Sequence, residues 1–538
     1  MNPASDWPAP GIETIAAAAY WARDRYRDAP ALVEDGRVVS FTDYVGEAAR
    51  IARVLIAHAV QPGERVAIWA PNSIDFALCA LAVHLSGAVL VPINTRFKAR
   101  EAAQVLRDAD AKVLFTVESF LGSSYVDALR QLRDREPDAL PHMPLVFTLG
   151  GCGDGSLAAA IEWGTSQVPP EIVDERVRGV RPDDIGTVLF TSGTTGRPKG
   201  AMLRHGALVR SYWVWSGITG LREGDRFLVS NPFFHAFGLK VGLLAALMRG
   251  ATVYPLAVFS ASVVLELIER ERITYYPGPP TIYQSLLAAP DLLDRDISSL
   301  RTAVTGATSI PPQLIGDIYD KLGYDEVYIP YGFTEGTGVA TLTRAGDNRA
   351  TIATTSGRAL PGVHITVRRA DGTTAAAGEV GEITLAGFNV MAGYLDPATG
   401  SPRPADDNGW LRSGDLGALD EIGNLSISGR LKDVVIVGGF NVYPAEVEAC
   451  LVEHPGVTAA AVVGIPDVRL GEVTCAFVVA RPHVEVTVGD LELWCRERIA
   501  NFKVPREFRF VPELPTNASG KVVKAALRES MSADLSDI

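Results

Sequence analysis

Eight short Val/Ile/Leu-rich runs recur through the first three hundred or so residues: "ERVAIWA", "AVLVPI", "KVLFTV", "PLVFTLG", "GTVLFTS", "ATVYPL", "ITYYPG" and "RTAVTGA". Helical patterns and glycine-rich turns separate them. Strands that alternate with helices point to parallel α/β layers. After about residue 355 the texture changes to "HITVRRADGTTAAAGEVGEITLAG", whose period-two runs and Asp-Gly turns read as an antiparallel β subdomain. A further boundary is expected near Gly429 to Asp433. Beyond it, about 105 residues suffice for a small α+β domain. Its first helix starts legibly at "VYPAEVEACLVEH", with Pro444 at the first helical position, Glu446 and Glu448 near the positive end of the dipole, and Val447, Leu451 and Val452 on an apolar face.

A chain of 538 residues is too long for one core, so two or more domains are expected. The 63 acidic against 50 basic residues give a net charge of −13, which argues against nucleic acid as a partner. It leaves room for ATP, which needs only a local cluster of donors. The 5 cysteines are scattered without a C-x-x-C pair, so neither a zinc site nor a disulfide framework is implied. The opening "MNPASDWPAPGIETI" has no basic stretch followed by an apolar one, and a cytoplasmic protein is expected. Phe76 to Ile93 runs without a charge, near the lower limit for a membrane span. His84, Ser86, Gly87 and Pro92 interrupt it. The pattern predicts a buried helix to about Leu85, a Ser-Gly turn and a core strand.

The stretch "TSGTTGRPKG" (191–200) carries hydroxyls, glycines, an arginine and a lysine, and is suited to hold phosphate. It fails the Walker pattern, because Pro198 stands where the second glycine belongs and Lys199 is followed by Gly200. It follows an apolar strand and precedes a helical pattern beginning near His205. A second glycine-rich segment, "PLVFTLGGCGDGSLAAAIEW", misses the G-x-G-x-x-G spacing and reads as a surface turn. No G-x-S-x-G occurs, so a serine-hydrolase elbow is unsupported.

Four more segments carry chemistry. In "YGFTEGTG" (331–338), Glu335 is suited to Mg²⁺, Thr334 to a phosphate oxygen and Tyr331 to the face of a base. "WLRSGDLG" (410–417) sets Asp415 in a tight turn, where a carboxylate accepts ribose hydroxyls. "GRLKDVVIVGGFNVYPAEVE" (429–448) has a basic pair before a Gly-Gly loop, and "PTNASGKVVK" (515–524) places Lys521 after a turn. Each alone reads equally as an ordinary turn.

In this order and spacing the five segments resemble the adenylate-forming superfamily of acyl-CoA synthetases, aryl-CoA ligases, luciferases and peptide-synthetase adenylation domains, over roughly residues 15 to 530. The resemblance implies an α/β fold: a large N-terminal AMP-binding domain (1–429) of two α/β layered subdomains plus a β subdomain, a hinge (430–432), and a small mobile α+β C-terminal domain (433–538). It implies a small-molecule carboxylic acid that attacks the α-phosphate of ATP, Mg²⁺ as the metal, and coenzyme A as acceptor.

Carried onto matching positions, Thr191, Ser192, Gly193, Thr194, Thr195 and Lys199 would grip the β- and γ-phosphates. Tyr331 and Gly332, with the turn Gly306, Ala307 and Thr308, would flank adenine, and Asp415 and Arg430 would hold the ribose. Thr334, His235, Glu335 (through Mg²⁺) and Lys521 would be catalytic. Lys432 matches the hinge, and Gly438, Gly439 and Phe440 the pantetheine channel. Phe234, His235, Phe237, Lys240 and Tyr283 would line the acyl pocket. Lys240 departs from the uncharged residue of relatives, and is expected to snorkel to the surface or pair with an acid. The other reading has it meet a polar group on the substrate. The runs "PGPPTIYQSLL", "AVTGATSIP" and "GGFNVYPAEVE" look most like actinobacterial acyl-CoA ligases of steroid-ring catabolism, which act on methylhexahydroindanedione propanoate. A ligase for medium-chain or aromatic acids is the alternative, as is one delivering the acyl group to an amine or carrier protein. A homodimer is left open beside a monomer.

Overall fold

The computed structural model describes residues 12–151, 155–191, 198–306, 310–404, 408–437, 440–467, 469–517 and 521–536. Five of the apolar runs become neighbouring parallel strands: Ile185–Thr191, Val89–Pro92, Arg65–Trp69, Ala111–Val117 and Leu145–Leu149, in that order. Helices on both faces explain why such runs lack alternation, since no face of the strand meets water. Antiparallel strands Lys199–Arg204, Gly393–Leu395 and Pro402–Arg403 extend one edge to make eight. The uncharged stretch resolves as expected into the helix Ile74–Leu85, a turn with Gly87 at φ 79°, and the strand Val89–Pro92. Ser73 caps the helix by accepting from Phe76 N, and every residue from Ile74 to Leu85 except Asp75 is buried. Among the described residues no helix is long and apolar enough to cross a membrane.

A second layer pairs Arg37–Ser40, Pro30–Glu34, Thr252–Pro255 and Arg226–Val229, and continues through Tyr275 to Thr302–Val304 and Glu326–Tyr328. The run "ITYYPG" therefore supplies only isolated bridges at Tyr275 rather than a full strand. Its two tyrosines pack inward instead, and the bulk of three buried tyrosines, 275, 276 and 283, fills this layer. The region after 355 is antiparallel as expected: Val363–Arg368, Gly381–Gly387, Leu411–Leu419 and Leu425–Arg430 pair in that order. The last strand runs into a 3-10 turn, Leu431–Asp433. Beyond it a separate apolar cluster, with Val447, Val462, Val478 and Leu491 fully buried, lies between one five-stranded sheet and helices Pro444–Val452 and Val488–Arg498.

Candidate active site

The phosphate-loop stretch joins two antiparallel strands, with Thr191 directly opposite Lys199. The sequence reading passed from this loop to the helix at His205 without the return strand Lys199–Arg204. That difference matters, because a Walker loop feeds a helix N-terminus, whereas this loop is the tip of a hairpin. Residues 192–197 carry Ser192, Gly193, Thr194 and Thr195 and lie outside the described residues, as do Ala307, Thr308, Gly438 and Gly439. Lys199 Nζ lies 5.3 Å from the centroid of the Tyr394 ring, and Tyr394 Oη donates to Glu335 Oε1 at 2.8 Å. Burial and the Glu335 carboxylate push the Tyr394 hydroxyl above its ordinary pKa, so it stays a donor.

Glu335 sits on a 3-10 turn, Thr334–Gly336, whose shape is fixed from outside. Its carbonyl accepts from Met391 N at 2.8 Å, while buried Asn389 donates to Gly336 O at 3.2 Å and Val339 O at 2.9 Å. Thr337 takes a left-handed φ of 59° and donates through Oγ1 to Asn389 O at 2.6 Å. Gly332 permits a close return of the chain, since a Cβ there would stand 2.6 Å from both Gly338 O and Val339 Cα. Asn389 and Tyr394 were missed in the sequence. The only signal is an asparagine and a tyrosine inside the apolar stretch "GFNVMAGYL", which periodicity does not mark.

Asp415 is not in a turn but within the strand Leu411–Leu419, next to an irregularity where Gly414 has φ 70°. The strand register places Asp415 opposite Arg430, and their side chains pair at 3.1 Å. Tyr331 Oη donates to the other carboxylate oxygen at 2.9 Å. Burial, then the Asp415 charge, raises the Tyr331 hydroxyl, which keeps its proton. An ionised carboxylate has about four lone-pair directions, so both oxygens still have capacity for ribose hydroxyls. Lys521, from the C-terminal domain, lies within electrostatic reach of this pair. Desolvation and the like charges of Arg430 and Lys432 hold its ammonium below the ordinary lysine range, against the pull of Asp415 and Asp433. Lys432 is exposed on the 3-10 turn, and neighbouring Asp433 pairs with Arg528 at 3.1 Å.

Phe237 and Lys240, both expected at the acyl pocket, lie on a nine-residue π-helix, Phe237–Ala245. Such helices are rare and favour functional sites. Gly238 and Gly242 seat it: a Cβ on the first would stand 2.2 Å from Pro232 O, and on the second 2.8 Å from a Val229 methyl. Buried Asn72 clasps the approach by donating to Val229 O and Asn231 O at 3.2 and 2.9 Å and accepting from Phe233 N at 2.7 Å. Phe234 and Phe237 are half-buried, and His235 is open on one side. Desolvation, with the charges of Lys240 and Lys521, lowers the His235 pKa to about 4, so it is neutral at physiological pH.

Two expectations need correction. Tyr283 does not line the cleft: it is fully buried in the second layer, and its hydroxyl donates to Tyr276 O at 2.8 Å and Val304 O at 3.3 Å. Lys240 neither snorkels nor pairs. It is 1% exposed, and among the described residues its Nζ donates only to Thr337 O at 3.2 Å. Its helix packs mainly on the helix His205–Ile218, whose neighbours enclose the lysine. Burial lowers its pKa to about 7, with Glu335 pulling the other way.

Among the described residues no cluster of three or more His, Cys, Asp or Glu side chains converges on one point. Mg²⁺ commonly binds through one or two carboxylates and the phosphates of its nucleotide, so a single Glu335 fits a metal delivered with ATP. Thr334 flanks that carboxylate and Gly306 lies at the end of the strand Thr302–Val304, where a Cβ would meet Pro330 O at 3.1 Å. Phe440 opens a short strand, Phe440–Val442, and its side chain lies outside the described residues.

A family model described as "AMP-binding enzyme" matches residues 19–395, and "AMP-binding enzyme C-terminal domain" matches residues 446–521. The chain is 44% identical, over 96% of its length and 99% of the relative's, to a 7a-methyl-1,5-dioxo-octahydro-1H-inden-4-yl propanoyl:CoA ligase of Mycobacterium tuberculosis. It is 43% identical, over 92% and 95% respectively, to the ligase of the same name from Rhodococcus jostii. Its fold superposes with a TM-score of 0.86 on the anthranilate CoA ligase AuaEII in complex with anthranoyl-AMP, at 27% identity over 99% of this chain and 100% of that one. With both family models matched in order, and two relatives above 40% identity matched over nearly the whole chain, the chain belongs to the AMP-binding enzyme family.

Proposed function

We propose that the protein is an AMP-forming acid–CoA ligase whose acid is a propanoate bearing a fused-ring diketone. The observation that carries this reading is the Asp415–Arg430 pair joined by Tyr331, with Lys521 within electrostatic reach of both charges and of neutral His235. A carboxylate and a triphosphate repel each other, so adenylation needs positive charge where they join. Lys521 supplies it from one side. Glu335 and Thr334 would hold the metal and α-phosphate side, and Mg²⁺ bound with ATP offsets triphosphate charge. A carboxylate oxygen bonds to the α-phosphorus, the bond to the β-phosphate oxygen breaks, and pyrophosphate leaves. Lys199, at the foot of the hairpin loop, attends the leaving phosphates. Asp415 and Arg430 hold the ribose, and Tyr331 with Gly306 borders adenine.

In the second step a CoA thiol, giving up its proton, bonds to the acyl carbon as AMP departs. Rotation about Lys432 would withdraw Lys521 and bring the 438–440 segment to the site. His235, neutral and open on one side, is suited to stand at the mouth of the acyl pocket. The acid class rests on the two relatives above 40% identity, which are named for a diketo-indane propanoate. We place the reaction in the cytoplasm and, given the net charge of −13, expect no nucleic-acid partner.

The test is thioester formation followed by mass spectrometry, with ATP, Mg²⁺ and CoA, across ring-bearing propanoates, aliphatic acids and aromatic acids. The expected result is a CoA thioester with AMP and pyrophosphate, formed fastest from the ring-bearing propanoate. Acyl-adenylate that accumulates in the presence of CoA would overturn the choice of acceptor. Equal rates across the panel would overturn the acid class.

A further inference from the structure

The buried ammonium of Lys240 has more donors than the protein uses. A lysine carries three N–H donors and no acceptor. Only one partner among the described residues takes a hydrogen bond from it, Thr337 O at 3.2 Å, and the same carbonyl also accepts from Tyr212 Oη at 3.0 Å. No carboxylate lies within ion-pair distance among the described residues, and the Glu335 carboxylate whose charge it senses is held by Tyr394. Behind the lysine stem is a cavity walled by Leu81, Leu208, Leu243 and Leu247, which offers no counter-charge. Its other polar walls are the hydroxyls of Tyr44 and Thr187, which carry no charge, and His84, kept neutral by burial, then by the neighbouring His205. A desolvated charge without a partner is costly, and proteins hold one where a ligand completes it.

The space beside the ammonium is shaped by a glycine. Gly338 has φ 94°, and a Cβ there would stand 2.7 Å from Tyr212 Oη and 3.7 Å from Lys240 Nζ. Gly338 lies three residues after Glu335, and Lys240 lies five after His235 on the π-helix. The ammonium is therefore held between the two elements that carry His235 and Glu335, and it acts electrostatically on both. We propose that Lys240 is a specificity-determining residue that donates a hydrogen bond from its ammonium to a ring ketone oxygen of the acid, distal to the reacting carboxylate. This rests on the reading of the chain as an acid-activating ligase. It names what that reading leaves open, namely which side chain distinguishes an oxygenated ring from a plain hydrocarbon one.

The experiment compares kcat/KM for adenylate formation from the diketo acid with that from its two mono-deoxo analogues, in which one ketone or the other is a methylene. A dicarboxylate of similar length is run beside them. A site built around a donor rejects a ligand lacking the acceptor strongly, so the wild-type enzyme should favour the diketo acid over one analogue by about 100-fold. In Lys240→Met, a neutral side chain of similar length, that ratio should collapse to about threefold, with KM for ATP unchanged. Lys240→Gln, which keeps an N–H donor, should retain part of the preference, and would separate donor loss from a packing defect.

Wild-type enzyme that takes the diketo acid and both analogues equally overturns the assignment without any variant. So does a Lys240→Met enzyme whose rates fall in parallel for all acids, which marks a structural role. Preference for the dicarboxylate would overturn the ketone as ligand. No adenylate from any acid would overturn the ligase reading and the role of Lys240 with it. Adenylate formed equally from all of them leaves the ligase reading intact and removes only Lys240.

Discussion

The two ends of the cleft treat charge in opposite ways. At the nucleotide end the carboxylates come already paired: Asp415 with Tyr331 at 2.9 Å and Arg430 at 3.1 Å, and Glu335 with Tyr394 at 2.8 Å. At the acyl end a lysine is sealed in at 1% exposure with one carbonyl for company. Pre-paired groups need little reorganisation as charge develops, which suits a step common to every acid. An ammonium without a counter-ion stabilises nothing until a ligand arrives. On the proposed reading, one end serves the reaction and the other the choice of substrate. Lys521 belongs to neither, because its position among Arg430, Lys432, Asp415 and Asp433 depends on the C-terminal domain.

The largest effect expected is therefore from Lys521→Ala. Removing a charge that acts on the developing transition state costs on the order of 10²–10³-fold in rate. Carboxylate-dependent ATP–pyrophosphate exchange should fall by that amount. Acyl-adenylate supplied ready-made should still pass to CoA within a few-fold of wild type, since on the proposed rotation the lysine would be withdrawn by then. Equal loss of both half-reactions would break the division between a shared nucleotide end and a domain that swings.

Next in size is the stability of Lys240→Met. In the folded chain the lysine pKa falls from 10.5 to about 7 through burial. Between those values the unfolded chain binds a proton that the folded chain does not, so wild-type stability rises as pH goes from 7 toward 10. Below pH 7 the full cost is present. The methionine variant should lose this rise and gain about 1–4 kcal/mol at pH 7, as buried charges replaced by apolar groups often do. Urea midpoints across pH 7–10 test it, and a variant that keeps the slope would show the charge is compensated. An acyl end that gains stability as it loses selectivity would sharpen the contrast with the nucleotide end.

What the sequence revealed follows the same division. Strand runs such as "ERVAIWA" and the buried helix before Gly87 were legible because burial on all sides leaves continuous apolar text. The loop 331–338 and Lys521 were legible because several chemistry-bearing residues fall within a few positions. Asn72, Asn389 and Tyr394 were not, since each holds backbone or a side chain that sits 50 to 161 residues away in the chain, or 59 for Tyr394 and Glu335. Single polar residues in apolar stretches carry no periodic signal, and only the fold brings their partners near. Lys240 was visible as an oddity, but its lack of an acidic partner is a fact of three dimensions.

Asn389 offers a way to break the nucleotide end from behind. Asn389→Ala removes donors from Gly336 O and Val339 O, both inside the protein. Leaving such carbonyls unpaired costs about 1–3 kcal/mol. The denaturation midpoint should drop accordingly, and KM for MgATP should rise because Glu335 loses its support. The preference between ring acids should not move. If it does, the two ends are mechanically one.

The smallest effect at neutral pH, and the last contrast, lies behind Lys240. His84 and His205 stand with ring centroids 5.4 Å apart at 76°, and both are buried. Burial lowers His205 to about 4, and burial with the His205 charge holds His84 well below its ordinary value. In each, the folded pKa is depressed. Their contribution is fully present above the unfolded value near 6.5, and is lost as pH falls toward 4. Each adds up to about 1.4 kcal/mol per pH unit to the acid limb of the stability curve. His84 Nδ1 is buried with no hydrogen-bond partner, so His84→Leu gives up no bond from that atom. The variant should flatten the limb below pH 6.5 while leaving the rise above pH 7 to Lys240. Two separate windows, one for the histidine pair and one for the lysine, would establish Lys240 as the charge carrier of the acyl end. A single merged transition would mean that the cavity titrates as a unit and the ammonium is not held apart for a ligand.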